Sequence, residues 1–208
     1  MLSAPAPLFR LLFWLTLLSP PLALGQNADI AWLRQANVHR NTRLDGPARF
    51  VSASAGPLAA GGTLAGLGAA YVWGGPPERR QAWTAASAFA AERVLNYGLK
   101  LAINRPRPYE TYPDLQPFYH PQTSSLPSGH TGVAFQFATS LTLACPRWYV
   151  AVPAYGWATA VGYSRLHMGV HYPSDVLAGA ALGAGTALAT HWLARRLQGR
   201  PTRRQAAP

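Results

Sequence analysis

An all-α fold, a helical bundle of about five to six helices, is what the sequence predicts, on three observations. Five apolar stretches lie near 53–73, 82–103, 131–145, 148–163 and 176–193. None alternates apolar and polar residues as a half-buried strand would, and lengths of 15 to 22 residues suit helices better than strands. Two of them, containing AGGTLAGLGAA and LAGAALGAGTALA, carry small residues that let helix backbones approach closely, in lipid or in a tight soluble bundle.

The elements follow in order. Residues 1–25 place Arg10 before the apolar LLFWLTLL and then SPPLALG, whose Ala23 and Gly25 suit a cleavage before Gln26. This reads as a signal peptide or, with Pro20 and Pro21 against it, an N-terminal anchor over 8–24. Export is expected from the first reading. Residues 26–52 form a polar N-terminal segment, 53–193 the functional domain and 194–208 a basic tail. Within the domain, residues 104–127 carry six prolines, which exclude a regular helix interior, and a loop that long is usually functional. Its Tyr109, Tyr112, Phe118 and Tyr119 either line a site or pack the loop onto the bundle.

A length of 208 residues suits one domain with a real core. The formal charge of +11 favours an anionic partner: nucleic acid, an anionic membrane surface or a phosphate-bearing substrate. The lone Cys145 excludes an internal disulfide and reads as a small buried hydrophobe. If the five runs cross a membrane alternately from outside, PPERRQ, Arg147 and the tail all fall on the cytoplasmic side, as the positive-inside bias prefers. Against spanning stand a mean hydropathy of +0.01, Glu92 and Arg93 inside the second run, and a third run of only 15 residues. Membrane association is expected; integral and soluble forms both stay open.

Three clusters carry the chemistry: KLAINRPRP at 100–108, PSGH at 127–130 and SRLHMGVHYPSD at 164–175. Each stands where an apolar run meets a loop, and an alternating bundle brings all three to one end. Lys100, Arg107 and Arg165 supply positive charge, and planar guanidinium groups match phosphate oxygens two at a time. Ser128 and Gly129 precede a helix whose free N–H groups and positive end suit an anion, with Ser128 as a plain N-cap the simpler alternative. His171 and Asp175, four apart, share one face, so Asp175 can accept from one ring nitrogen and free the other as a nucleophile.

These residues resemble the type 2 phosphatidic acid phosphatase (PAP2) superfamily, which shares its site with vanadium haloperoxidases and bacterial acid phosphatases. The family pattern is matched at Lys100, Arg107 and Pro108, at Pro127, Ser128, Gly129 and His130, and at Ser164, Arg165, His171 and Asp175. The resemblance implies a metal-independent, cofactor-free phosphatase. In it, His171 attacks phosphorus to give a phosphohistidine, Asp175 orients it, and His130 protonates the leaving oxygen and then activates water. Lys100, Arg107, Ser128, Gly129 and Arg165 would hold the phosphate oxygens. His39, His120, His167 and His191 form no metal-ligand pattern.

The expected substrate is a phosphate or pyrophosphate monoester, lipid-linked: phosphatidate, phosphatidylglycerophosphate, an isoprenoid pyrophosphate or a lipid A. The alternatives are a soluble non-specific acid phosphatase of the periplasm, a vanadate-dependent haloperoxidase, or a non-catalytic envelope protein. No nucleic-acid partner is expected. The expected location is the bacterial cell envelope, with the site facing the periplasm.

Overall fold

The computed structural model describes residues 28–198, and these contain helices and loops but no strand. The leader or anchor expected over 1–25, and the tail beyond 198, lie outside them. The order is α1 (28–37), a 3-10 turn (Thr42–Leu44), α2 (Asp45–Val72), α3 (Pro76–Ile103), the single turn α4 (Pro108–Thr111), α5 (Gly129–Ala144), α6 (Trp148–His167) and α7 (Pro173–Gln198). Each of the five apolar runs is thus a helix. The polar segment is helical as well: α1 occupies part of it, and α2 starts at Asp45, ahead of the expected boundary at 53.

Local chemistry sets the boundaries. Gly75 precedes Pro76 and Pro77, whose fixed φ suits a first turn, and the Glu78 carboxylate accepts the Gly75 N–H at 2.8 Å. At the far end of α3, Asn104 takes the left-handed conformation (φ 46°), and Pro106 follows. Helix α6 ends similarly. Gly169 (φ 69°) turns the chain beside Asn37, where a Cβ would come within 2.8 Å of the Asn37 amide nitrogen. That amide fastens α1 to the site loop and to the end of α6, donating to the Gln116 and His167 carbonyls at 3.0 and 2.9 Å.

Helix α5 is the hub, packed against α2, α3, α6 and α7, most extensively against α7. Small residues make this possible. A Cβ on Gly183 would fall 2.1 Å from the Gly132 carbonyl oxygen, and one on Gly179 would fall 2.5 Å from that of Ser128. Since the obstructing atoms are backbone, Gly183→Ala must push α7 off α5. It is expected to cost about 1–3 kcal/mol, read as a lower midpoint of thermal unfolding in detergent; an unchanged midpoint would mean the two backbones are not so close.

The core is built from Ala55, Ala59, Val133, Ala134, Ala138, Ala158 and Val161. Polar residues are buried beside it, among them Glu92, Asn96, Gln136 and Thr139. The outer surface carries large apolar side chains instead: Leu64, Trp73, Val94, Leu101, Trp148, Val152, Leu177 and Trp192 are all exposed. Thr42–Val72 and Pro173–Leu197 are long and apolar enough to cross a membrane. Cys145 is exposed, not buried, because it caps α5 where the chain leaves the bundle.

Candidate active site

The three clusters meet. The end of α3, the start of α5, the end of α6 and the loop ahead of α7 enclose a cavity of about 270 Å³. Lys100, Arg107, Gly129, His130, Arg165 and His171 line it, joined by Arg93, Asn96, Tyr97 and Tyr119. Ser128 and Asp175 stand behind the wall, both fully buried.

Each cation is held by neutral groups, so its charge stays available to an anion. Arg107 donates from Nε to the Thr123 carbonyl and from Nη1 to the Val170 carbonyl, both at 2.7 Å. Arg165 donates to the Ser52 hydroxyl through Nη1 and to the Tyr119 hydroxyl through Nη2 at 2.6 Å, while its Nε is buried without an acceptor among the described residues. Lys100 donates to the Ser124 carbonyl.

His171 is the buried centre of this wall. Its Nε2 lies 3.4 Å from Arg107 Nη1, and its Nδ1 lies 3.5 Å from Asp175 Oδ2, just beyond a good hydrogen bond. The Asp175 carboxylate is fixed independently. Oδ2 accepts from the Ser125 hydroxyl and from the Tyr172 N–H at 2.9 Å, and Oδ1 accepts from Arg105 Nη1 at 2.6 Å. The bond to Tyr172 also closes the first turn of α7, so the same carboxylate that faces His171 caps that helix.

Burial, with Arg165 and Arg107 close by, pulls the His171 imidazole from its ordinary 6.5 down to about 3, against the opposing pull of Asp175. A depressed value leaves the ring neutral at every pH above it, which is the form a nucleophilic imidazole requires. In histidine-labelled protein, the His171 ring resonances are therefore expected not to titrate around pH 6.5, the ordinary histidine range; a midpoint there would contradict the environment described.

The sequence-predicted residues are placed unequally. Ser128 turns its hydroxyl to Thr131 Oγ1 at 2.9 Å and gives its N–H to the Asp175 carbonyl at 3.0 Å. It makes no side-chain cap to α5. The loop aromatics divide: Tyr119 lines the cavity, Tyr109 and Tyr112 pack on Ile30, Leu33, Leu115 and Tyr172, and Phe118 lies against His167. His39 and His120 are exposed, and His167 pairs with Asp45 at 2.8 Å. Sequence reasoning missed Ser52 and Asp29, which reach the site from afar, and Thr123 and Ser125, which stand in the loop just ahead of PSGH but belong to no motif.

Residues 81–198 match the PAP2 superfamily. The chain belongs to that superfamily. The match takes in all three clusters and leaves α1 and α2 ahead of it. A lipid A 1-phosphatase of Rhizobium johnstonii is 41% identical over 97 residues, 44% of this chain and 39% of the relative. Phosphatidylglycerophosphatase B of Bacillus subtilis is 36% identical over 104 residues, 46% of this chain and 49% of the relative. The chain thus matches less than half the length of either. Among solved structures, Aquifex aeolicus LpxE superposes with a TM-score of 0.70 at 25% identity, covering 79% of this chain and 95% of that one. The transmembrane phosphatidylglycerolphosphate phosphatase of Bacillus subtilis gives 0.69 at 25% identity, covering 93% and 96%.

Proposed function

We propose that this chain is a metal-independent PAP2 phosphatase of the cell envelope that hydrolyses a lipid-linked phosphate or pyrophosphate monoester through a phosphohistidine at His171. One observation carries the reading: His171, His130 and the cations Lys100, Arg107 and Arg165 share one cavity with the start of α5. His171 Nε2 attacks phosphorus as the ester P–O bond breaks, and His130 gives its proton to the leaving oxygen. His130 then takes a proton from water, whose oxygen attacks phosphorus and breaks the P–N bond, releasing orthophosphate. Asp175 faces the Nδ1 proton and balances the charge that the ring acquires. The cations and the Gly129 N–H stabilise the equatorial oxygens, where most catalysis of phosphoryl transfer resides.

The apolar exterior around a polar interior supports a bilayer location, as do the two helices of membrane-spanning length. Arg79, Arg80, Arg147, Arg195 and Arg196 belong to the ends of α3, α6 and α7 remote from the cavity. By the positive-inside bias, this supports a cavity that faces the periplasm. The relatives named for lipid A and phosphatidylglycerophosphate support a lipid substrate.

Turnover of a lipid phosphate in detergent, compared with that of a soluble phosphate ester, tests this reading, with and without a chelator. The lipid is expected to be preferred and the chelator to have no effect. Equal or better turnover of the soluble ester would favour an acid phosphatase, and halide oxidation that depends on vanadate would favour a haloperoxidase.

A further inference from the structure

Asp29 stands in α1, ahead of the family match and outside every motif, yet it is one side chain removed from Asp175. Its Oδ1 accepts the Ser174 N–H at 2.8 Å, and its Oδ2 accepts from the Ser174 hydroxyl and from Arg105 Nη2 at 3.1 Å. Arg105 sends its other terminal nitrogen, Nη1, to Asp175 Oδ1 at 2.6 Å, and its guanidinium lies 3.9 Å over the Tyr172 ring. This is no surface pair: the side chains of Asp29 and Arg105 are 10% and 23% exposed, and that of Asp175 is 0% exposed. Exposed ion pairs do little, but a partly buried chain of charges bonded at both ends fixes geometry.

We propose that Asp29 and Arg105 are positioning residues of the site: Arg105 sets the Asp175 carboxylate that serves His171, Asp29 holds Arg105, and α1 is therefore a working part of the active site. The inference rests on the phosphatase reading. Asp29 draws part of the Arg105 charge away from Asp175. Without Asp29, that cation settles wholly on Asp175 and weakens it as acceptor for the His171 Nδ1 proton at the step where the ring gains charge. Without Arg105, Asp175 Oδ1 is a buried carboxylate oxygen lacking a donor, and its full charge falls on His171. The other charged groups facing His171, Arg107 and Arg165, are untouched by either change.

The test uses the full chain in detergent, with phosphatidate in mixed micelles as substrate. Asp29→Asn is expected to lower kcat by about ten- to a hundredfold, the scale of a misplaced catalytic group, with little change in KM. Arg105→Lys should recover part of what Arg105→Gln loses. Arg34→Ala is the control, since it cuts the exposed bond from α1 to Asp114 (2.8 Å) without touching Asp175, and it should keep wild-type kcat. Unchanged kcat in Asp29→Asn, or an equal loss in Arg34→Ala, overturns the proposal. A wild type inactive on phosphatidate, phosphatidylglycerophosphate, an isoprenoid pyrophosphate and lipid A alike would instead defeat the phosphatase reading. The positioning claim would then be decided by the His171 ring titration, which should move upward in Arg105→Gln; an unmoved midpoint overturns it.

Discussion

Replacing His171 by Ala is expected to reduce phosphate release by on the order of 10⁴-fold or more, the scale of losing a covalent nucleophile. The fold should survive. His171 Nδ1 has no hydrogen-bond partner among the described residues, and Nε2 meets only Arg107, which stays anchored on the Thr123 and Val170 carbonyls. The loop carrying it is set by the turn at Gly169 and by Asp175 bonded to the Tyr172 N–H, neither of which needs the imidazole. Initial rates with a lipid phosphate, beside circular dichroism of the same preparation, check both halves. Residual activity within tenfold of wild type would remove His171 from the mechanism.

Arg165→Lys, which keeps the charge, is expected to lower kcat by about 10²–10³-fold, as when one preorganised donor to a developing oxyanion is lost. The reason is geometric. Arg165 uses Nη1 on Ser52 and Nη2 on the Tyr119 hydroxyl, which fixes the plane of its guanidinium. A lysine ammonium has no such plane, and it would have to choose between those two hydroxyls and the phosphate. Steady-state kinetics should show the loss mainly in kcat. Near-normal kcat would mean that charge alone suffices and that Arg165 does not clamp an equatorial oxygen.

Much of this could be read along the chain because the determinants are local. The apolar runs show in composition and length, and Pro76 and Pro77 in the first turn of α3, Asn104 after it and Gly169 after α6 each act within a turn of their own position. The alternation of helices then forces Lys100, His130 and His171 to one end. What could not be read is side-chain direction across long separations. Ser52 reaches Arg165 from more than a hundred residues away, and Asp29 reaches Arg105 from the polar segment ahead of the expected domain. Ser128 shows the same limit: its place at the start of α5 is legible, but the turn of its hydroxyl toward Thr131 depends on how α7 closes on that backbone at Gly179. Cys145 was misjudged because its composition suggested a core and its place at a helix end decided otherwise.

Rapid quenching of the enzyme during turnover of a lipid carrying radiolabelled phosphate, followed by mapping of the labelled peptide, bears most directly on the chemistry assigned to the cavity. The expected result is an acid-labile, alkali-stable label on His171, formed and lost fast enough to account for kcat and absent from His171→Ala. A label on any other residue, or full turnover with no covalent label at any quench time, would contradict it.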